Sequence, residues 1–354
     1  MVEVMEAGGA AVSHAAPFDA AAPSLPGRLA AWLGQQWGQP VAVSRWQRFP
    51  VGMSWVTIGF TATVGGEEQS LILRLGDPKG LFAPYRTEPE YLALSALAKS
   101  PGIPVPAVLA RCDDASVLGA PFMVTGRVAG DTPTPWNSMK LLDDAERTAL
   151  GHAFSDALGD LHAFDWRTTP LAAWAEGLTP ANVARRELHR WAAEAGHPAQ
   201  PLPPAMHHGL RWLQARAPVA ERIALVHGDY RVGNFLRVGD RITAILDWEL
   251  VHLGDPHEDL AWACMRAFSP AAGQVGGLVD RATFLARWSA RSGLQVDEAR
   301  LRYYQVMMQF KSAAMLLGAV RRVEAGRASD ARMAAMGFQL APTLMEMLRL
   351  MEAA

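Results

Sequence analysis

The residues whose types and spacing could do chemistry are concentrated between positions 225 and 259. Asp229 lies five residues before Asn234, and Asp247 follows at the end of a predicted hairpin. Mg²⁺ prefers hard oxygen ligands, and phosphoryl transfer needs Mg²⁺ at the donor phosphates and a carboxylate at the attacking hydroxyl. The hairpin would return Asp247 to Asn234, so that two ligands and one base share a site. Separate turn or cap roles, the usual ones for Asp in loops, leave this coupled spacing unexplained.

The same stretch resembles the catalytic segment of the aminoglycoside-phosphotransferase-like kinases, which are relatives of the eukaryotic protein kinases. Residues 227–234, HGDYRVGN, match the family's HGDxxxxN loop, and residues 247–249, DWE, stand where protein kinases have DFG. The runs DLHAFDW and LGDPHEDLAW are most similar to the subgroup attached to, or encoded near, acyl-CoA dehydrogenases. The resemblance covers most of the chain. It implies an α+β, protein-kinase-like fold with a small sheet-containing lobe and a larger helical lobe.

The resemblance implies a role for each matching residue of the catalytic trio. Asp229 would orient the acceptor hydroxyl and accept its proton. Asn234 and Asp247 would hold Mg²⁺. An ATP- and Mg²⁺-dependent kinase is therefore expected, with GTP as an alternative donor.

Four further positions of the helical lobe are expected to support this trio. His227 would brace the catalytic loop, and Glu249 completes the DWE segment. Arg231 would either contact phosphate or substrate, or pair with a nearby carboxylate. Asp255 has the position of a helix N-cap, followed by Pro and Glu, and in this family it also supports the catalytic loop.

The resemblance also assigns residues to the phosphates of the nucleotide. Arg74 lies in a predicted apolar strand where kinases usually have Lys and this subgroup often has Arg. Its planar guanidinium can bridge two phosphate oxygens; the alternative is a solvated charge at a sheet edge. A helix carboxylate should hold Arg74, and we prefer Glu90 over Glu88 because Glu90 begins an EY-x-x-L run that resembles the family's.

Two loops complete the expected nucleotide site. Ser54 follows Gly52 in the loop between the first two strands, where exposed N–H groups and the Ser54 hydroxyl could cap phosphate oxygens. The segment after the last strand of the small lobe should be the hinge. There the carbonyl of Gly126 and the amide of Val128 would read adenine.

Periodicity predicts the elements that position these residues. Apolar residues at helical spacing predict helices, and alternating or β-branched runs bounded by Gly and Pro predict strands. In the first half of the chain these predictions are a helix over Leu25–Trp37, strands over Val41–Phe49, Trp55–Val64 and Ser70–Leu75, a helix over Arg86–Lys99, and strands over Ala107–Arg111 and Pro121–Val128.

The second half is predicted to be helical apart from one hairpin. Helices are expected over residues 143–165 and from Thr179-Pro180, the hairpin over residues 234–246, and helix throughout after Asp255. The predicted domains are a poorly ordered leader over residues 1–24, a nucleotide lobe over 25–125, a hinge over 126–129 and a catalytic, acceptor-binding lobe over 130–354.

Composition excludes several classes of protein. The chain has 354 residues, 50% of them hydrophobic, and a formal net charge of −2, so bulk charge does not suit nucleic-acid binding. Cys112 and Cys264 are far apart, which is typical of a reduced compartment. Without an apolar span or a basic N-terminal signal, a soluble, cytoplasmic monomer or homodimer with no membrane partner is expected.

The acceptor is expected to be a small molecule with a hydroxyl group. From residue 270 onward the chain has 11 Lys and Arg against 7 Asp and Glu, a balance that suits an anionic acceptor such as a hydroxyacyl-CoA better than a polycationic aminoglycoside. Ordinary charged helix surface is the alternative explanation. Two other functions remain open: an aminoglycoside or macrolide kinase of the same chemistry, and a catalytically silent nucleotide-binding scaffold.

Overall fold

The small lobe is a five-stranded antiparallel sheet with a helix at each side. The computed structural model describes residues 25–50, 52–100, 102–134, 142–196, 201–328 and 330–353. The predicted leader, residues 1–24, lies outside them. The sheet has the order β1-β2-β3-β5-β4. The elements of this lobe are α1 (Leu25–Trp37), β1 (Val41–Phe49), β2 (Trp55–Val64), β3 (Glu67–Gly76), α2 (Glu88–Leu97), β4 (Val108–Cys112), α3 (Ala115–Leu118) and β5 (Phe122–Gly126).

The β2–β3 hairpin positions the strand that contains Arg74. Gly65 and Gly66 both have positive φ, 59° and 90°, which a two-residue hairpin turn requires, and Val64 pairs with Glu67. On β3, Leu71, Leu73 and Leu75 are buried in the small core. Because side chains alternate along a strand, Arg74 lies on the opposite face from these leucines.

Helix α2 links the two lobes. Leu94 and Leu97 belong to the larger hydrophobic core, together with residues of the helical lobe, whereas the smaller core packs α1 against the sheet. Glu90 is buried on the same helix. The packing of α2 therefore brings a carboxylate of the small lobe to the boundary with the large one.

The large lobe is mainly helical and contains three short antiparallel strand pairs among its described residues. Its elements are α4 (Asp144–Ala163), α5 (Val183–Ala195), α6 (Pro204–Arg216), β6 (Ala224–Val226), β7 (Phe235–Val238), β8 (Arg241–Ile245), β9 (His252–Gly254), α7 (His257–Ala263), β10 (Gln274–Val275), β11 (Val279–Asp280), α8 (Arg281–Ser292), α9 (Glu298–Glu324), α10 (Ala331–Met336) and α11 (Leu340–Glu352). β6 pairs with β9, β7 with β8, and β10 with β11, and of these pairs β7–β8 and β10–β11 are hairpins. The predicted two-lobed α+β architecture is thus confirmed.

Three sequence predictions for the large lobe were wrong. One hairpin was the only sheet structure expected there, but β6 and β9, on either side of that hairpin, also pair with each other. The helix expected from Thr179 begins at Val183, because Asn182 takes the preceding position and its Oδ1 accepts a hydrogen bond from the backbone N–H of Thr179. The region after Asp255 is not wholly helical, since Gly276 and Gly277 turn β10 back onto β11 with positive φ values. No described helix has the length and apolar character needed to span a membrane.

Candidate active site

The loop between β6 and β7 holds Asp229 and Asn234 in direct contact. The Asn234 side-chain nitrogen donates to Asp229 Oδ2 at 2.6 Å and to the Asp229 carbonyl at 2.9 Å. The backbone N–H of Leu246 donates to the Asn234 carbonyl at 2.8 Å, which places the end of β8 beside the loop. Asp247, the next residue, has a left-handed backbone with φ +67°. The hairpin therefore returns Asp247 to the neighbourhood of Asn234, as its spacing predicted.

His227 connects the loop to the end of β8. Its Nδ1 accepts the backbone N–H of Asp229 at 3.1 Å, so Nε2 carries the proton of the neutral ring and donates to the Leu246 carbonyl at 2.9 Å. Burial lowers the pKa of His227 and so favours this neutral form. The bracing role expected for His227 matches these contacts.

Asp259 of α7 supports the catalytic loop. Its two carboxylate oxygens accept the backbone N–H groups of His227 at 2.7 Å and Gly228 at 2.9 Å. Burial alone would raise the pKa of Asp259, but the hydrogen bond from His162 and its charge outweigh burial and lower it. Gly228 has φ +83°, and a Cβ there would lie 2.6 Å from the Leu250 carbonyl oxygen, so no other residue fits this turn.

Asp255 has one of its two expected roles, at the start of the helix. Helix α7 begins at His257, and Asp255 Oδ1 accepts both the backbone N–H and the ring Nδ1–H of that residue at 2.9 Å. The structure thus gives Asp255 the start of the helix, and the support of the loop expected from Asp255 comes from Asp259. Sequence reasoning missed Asp259 because an Asp inside a predicted helix resembles an ordinary surface residue.

Arg74 joins the small lobe to the DWE segment of the large lobe. Its guanidinium contacts the Glu90 carboxylate, and its Nη2 lies 3.2 Å from Asp247 Oδ1. Glu88 lies instead against Arg86 at 3.7 Å. Burial alone would lower the pKa of Arg74, but the charges of Glu90 and Asp247 outweigh it and raise the pKa, so Arg74 is charged. Only 16% of its side chain is exposed, which argues against a solvated edge charge.

For Glu90, burial is the larger effect on the pKa. It raises the pKa of this carboxyl to about 7, against the opposing effect of the Arg74 charge. The carboxylate is therefore more basic than an exposed glutamate would be. Raising the pH above neutrality completes the ionisation of Glu90 and strengthens the attraction that holds Arg74.

Ser54 and Glu249 contact each other across the two lobes. The Ser54 hydroxyl donates to Glu249 Oε1 at 3.0 Å, and the indole N–H of Trp55 donates to Oε2 at 3.0 Å. Burial, and then the charge of Asp247, raise the pKa of Glu249. The hydroxyl expected to cap a phosphate is thus bonded to the DWE segment, and a phosphate-capping role would require it to change partners.

The segment predicted as the hinge, residues 126–129, overlaps the end of the sheet, because Gly126 is the last residue of β5. The Gly126 N–H donates to the Ala107 carbonyl at 2.8 Å, and the Arg127 N–H donates to the Ser70 carbonyl at 3.0 Å. Val128 follows directly. Adenine recognition by Gly126 and Val128, like the domain boundaries at 125 and 130, stays a prediction.

Arg231 lies beside the proposed base. Its Nε donates to Asp229 Oδ1 at 3.1 Å, and its guanidinium carbon lies 5.3 Å from the centre of the Phe268 ring. Of the two alternatives from the sequence, the structure shows the carboxylate pairing. A fixed positive charge therefore lies next to the Asp229 carboxylate.

The side chains of Asn234 and Asp247 fit a magnesium ion. The amide nitrogen of Asn234 is used by Asp229, so its oxygen is the atom that can bind a metal. The side chain of Asp247 is 35% exposed, and one of its oxygens contacts Arg74. Carboxylate and amide oxygens together are a hard donor set, which Mg²⁺ prefers alongside water and phosphate ligands.

A family model identifies the chain. Residues 60–305 match the model of the APH phosphotransferase enzyme family. The chain belongs to this family. Its matched part includes Arg74, Glu90 and the catalytic loop with Asp229 and Asn234, so the family resemblance inferred from these motifs is confirmed.

Curated relatives of this phosphotransferase-family chain are acyl-CoA dehydrogenase family members. Member 11 from chicken is 30% identical over 312 residues, which are 82% of this chain and 38% of the relative. Member 10 from mouse is 28% identical over 283 residues, which are 75% of this chain and 25% of the relative. The chain therefore matches only about a quarter to two fifths of these proteins.

Solved structures share the fold. A protein from Ralstonia eutropha assigned to the aminoglycoside phosphotransferases is 26% identical with a TM-score of 0.72, over 93% of this chain and 98% of that one. A thermostable mutant of the aminoglycoside phosphotransferase APH(4)-Ia, in ternary complex with ADP and hygromycin B, is 17% identical with a TM-score of 0.57, over 92% and 98%. These similarities confirm the predicted kinase-like fold.

Proposed function

We propose that the protein transfers the γ-phosphoryl group of ATP, with Mg²⁺, to a hydroxyl group of a small anionic molecule. One observation carries this proposal. Arg74 of the small lobe contacts Asp247, and Asp247 follows the strand end that is bonded to Asn234 and His227, beside Asp229. A phosphate-binding cation, metal-binding oxygens and a carboxylate base thus converge at the boundary between the lobes.

Each residue of the site has a part in the proposed reaction. Asp229 accepts the proton of the acceptor hydroxyl. The hydroxyl oxygen bonds to the γ-phosphorus, and the bond between the γ-phosphorus and the oxygen that leaves with ADP breaks. Arg74, held by Glu90, binds the α- and β-phosphates. Asn234 and Asp247 would hold Mg²⁺, which neutralises charge on the phosphates when bound.

The charges around Asp229 favour an anionic acceptor. Arg231 lies against the carboxylate, so a polycationic acceptor would place like charges side by side. The excess of basic residues after position 270 carries less weight, because most of these arginines pair with carboxylates: Arg281, Arg287, Arg291, Arg300, Arg332 and Arg349. The curated relatives are acyl-CoA dehydrogenase family members, and Arg231 favours an anion. Together these two observations favour a hydroxyacyl-CoA as the acceptor class.

A screen of acceptors tests this function. Purified protein is incubated with Mg²⁺ and ATP, and in parallel with GTP, against hydroxy acids, their CoA thioesters, aminoglycosides and macrolides. ADP release and the mass of the phosphorylated product are measured, with an Asp229→Asn variant as the blank. We expect phosphorylation of a hydroxyacyl-CoA and none of the cationic antibiotics. Absence of product with every acceptor, in the presence of bound nucleotide, would instead support a nucleotide-binding scaffold.

A further inference from the structure

Trp262 of α7 touches the proposed base. Its indole Nε1 donates to Asp229 Oδ1 at 2.5 Å, and the residue is 4% exposed. We propose that Trp262, backed by the buried Lys311, is a positioning residue that fixes the Asp229 carboxylate and leaves Oδ2 as the atom that takes the acceptor's proton. The inference deepens the proposed function and rests on it.

The hydrogen bonds of Asp229 determine which oxygen is available. An ionised carboxylate has about four lone-pair positions, two on each oxygen. Trp262 Nε1 and Arg231 Nε both donate to Oδ1, which fills that oxygen. The side chain of Asn234 donates to Oδ2 and occupies one position there. Among the described residues, the position left for a hydroxyl proton is therefore the second one on Oδ2.

These three donors also fix the plane of the carboxylate. Oδ1 accepts from α7 and from Arg231 within the loop, and Oδ2 accepts from Asn234, the last residue before β7. Rotation of the Asp229 side chain would break all three hydrogen bonds. The remaining lone pair thus has one direction, which is the condition for efficient proton transfer within a bound complex.

Lys311 contacts both Trp262 and the loop. Its ammonium group is fully buried, 4.8 Å from the centre of the Trp262 ring. It donates to the Gly228 carbonyl at 2.6 Å and to Glu258 Oε1 at 3.1 Å. One cation on α9 therefore holds both the backbone next to Asp229 and the ring that contacts its side chain. A positive charge over an indole also makes the indole N–H a stronger donor.

Helix α7 gives the contact its direction. Asp259 and Trp262 are three residues apart, so they lie on the same face of the helix. Asp259 binds the backbone of the loop, and Trp262 binds the carboxylate that the loop presents. The helix thus holds the loop at two levels, and the DLAW run of the sequence contains both contacts.

A purely structural role for the Trp262 N–H is the alternative, and a matched pair of variants separates the two. Trp262→Phe keeps a ring in place and removes the N–H donor. Trp166→Phe is the control, because Trp166 is 5% exposed and its Nε1 donates one hydrogen bond to a backbone carbonyl, that of Ile223, at 3.1 Å. Both variants lose one buried indole hydrogen bond, and only Trp262→Phe loses contact with Asp229.

The measurements are kcat, the acceptor KM, Mg-ATP affinity and melting temperature, with the acceptor found in the screen. We expect Trp262→Phe to lower kcat by about 10- to 100-fold, with the acceptor KM, Mg-ATP affinity and melting temperature close to those of Trp166→Phe. Equal kcat values in the two variants would overturn the positioning role and leave the proposed function intact. A parent protein without turnover on any acceptor would overturn both.

Discussion

At the residue scale, the proposed chemistry depends on the hydrogen bonds of Asp229, which leave few positions on its carboxylate for the acceptor's proton. The Asp229 carboxylate accepts hydrogen bonds from three side chains, and the backbone N–H of Asp229 donates to His227 Nδ1. Such a residue cannot be exchanged without changing either charge or direction. Its replacement by the nearest isostere therefore tests the role of charge alone.

Asp229→Asn should abolish most turnover and preserve nucleotide binding. We expect turnover to fall by about two to four orders of magnitude, because the variant lacks a base for the acceptor hydroxyl. Mg-ATP affinity should change little, since Arg74, Asn234 and Asp247 are intact. Turnover is measured from product formation and affinity by calorimetry. The control is Asp240→Asn in the exposed β7–β8 turn, and unchanged turnover at Asp229→Asn would assign the base to another group.

Replacement of the two proposed metal ligands should have unequal effects. Asp247→Ala removes an anionic ligand and should abolish Mg²⁺-dependent ATP binding, whereas Asn234→Ala removes a neutral ligand that water can partly replace. Titration of Mg²⁺ against ATP binding in both variants gives the comparison. Parent-like Mg-ATP binding in Asp247→Ala would show that the DWE segment is not the metal site.

The sequence revealed the residues of this site that lie in one motif and missed those that reach the loop from α7 and α9. Asp229, Asn234 and Asp247 could be predicted from spacing, because a hairpin converts spacing into proximity. Asp259 and Lys311 could not, since their contacts with the loop depend on how α7 and α9 pack. A polar residue inside an apolar helix was the available signal, and helical periodicity alone assigns it no partner.

At the element scale, a buried group of ionisable side chains joins α5, β9 and α7. His252 Nε2 lies 3.1 Å from Glu258 Oε2 and 3.8 Å from Glu187 Oε2. Glu258 in turn contacts Lys311 at 3.1 Å. Burial alone would lower the pKa of His252, but the charges of Glu187 and Glu258 outweigh it and raise the pKa to about 9. The imidazole is therefore cationic at neutral pH and joins three elements through its charge.

This imidazole should make stability depend on alkaline pH. The folded-state pKa of His252 lies above its ordinary value of 6.5, so its contribution is complete below pH 6.5 and is lost as the pH rises through about 9. The loss should be about 3 kcal/mol for a difference of this size. The free energy of unfolding is measured in urea at pH 6.5 and pH 9 for the parent and for His252→Gln.

The expected result is a fall in the parent that His252→Gln does not share. His208→Gln is the control, because His208 is exposed on α6 and should leave the parent's pH dependence unchanged. The same fall in the parent and in His252→Gln would show that His252 is not the titrating group. It would also remove the case for an imidazolium that joins Glu187 and Glu258.

Element boundaries could be predicted where Gly or Pro residues mark the ends of a segment. The observed bounds of α1, β1 and β2 equal the predicted ones, because Gly and Pro residues bound these segments. The β10–β11 hairpin was missed because strands of two residues are too short to show alternation. The start of α5 was misplaced because Thr179 and Asn182 are both acceptable N-cap residues, and the hydrogen bond from the Thr179 N–H to Asn182 cannot be read from the sequence.

At the scale of the whole molecule, the site depends on contacts between distant parts of the chain. Arg74 and Asp247 are 173 positions apart, and Ser54 and Glu249 are 195 apart. The sequence predicted two lobes and the residues on each side of the cleft. It could not predict the pairings across the cleft, because these follow from how the two cores are oriented by α2.

The long helix α9 connects the catalytic loop to the larger core, and the contact is made by Lys311. Lys311→Met would remove the buried cation that contacts both the Gly228 carbonyl and Glu258, and the loss of one partner of a buried ion pair typically costs about 3–5 kcal/mol of unfolding free energy. The exposed Lys99→Met should change it by less than about 0.5 kcal/mol. Adding Glu258→Gln to Lys311→Met should lower the stability further, because it also removes the charge that pairs with the His252 imidazolium. Urea unfolding of the three variants measures this, and equal stability of Lys311→Met and Lys99→Met would mean that the loop does not depend on α9.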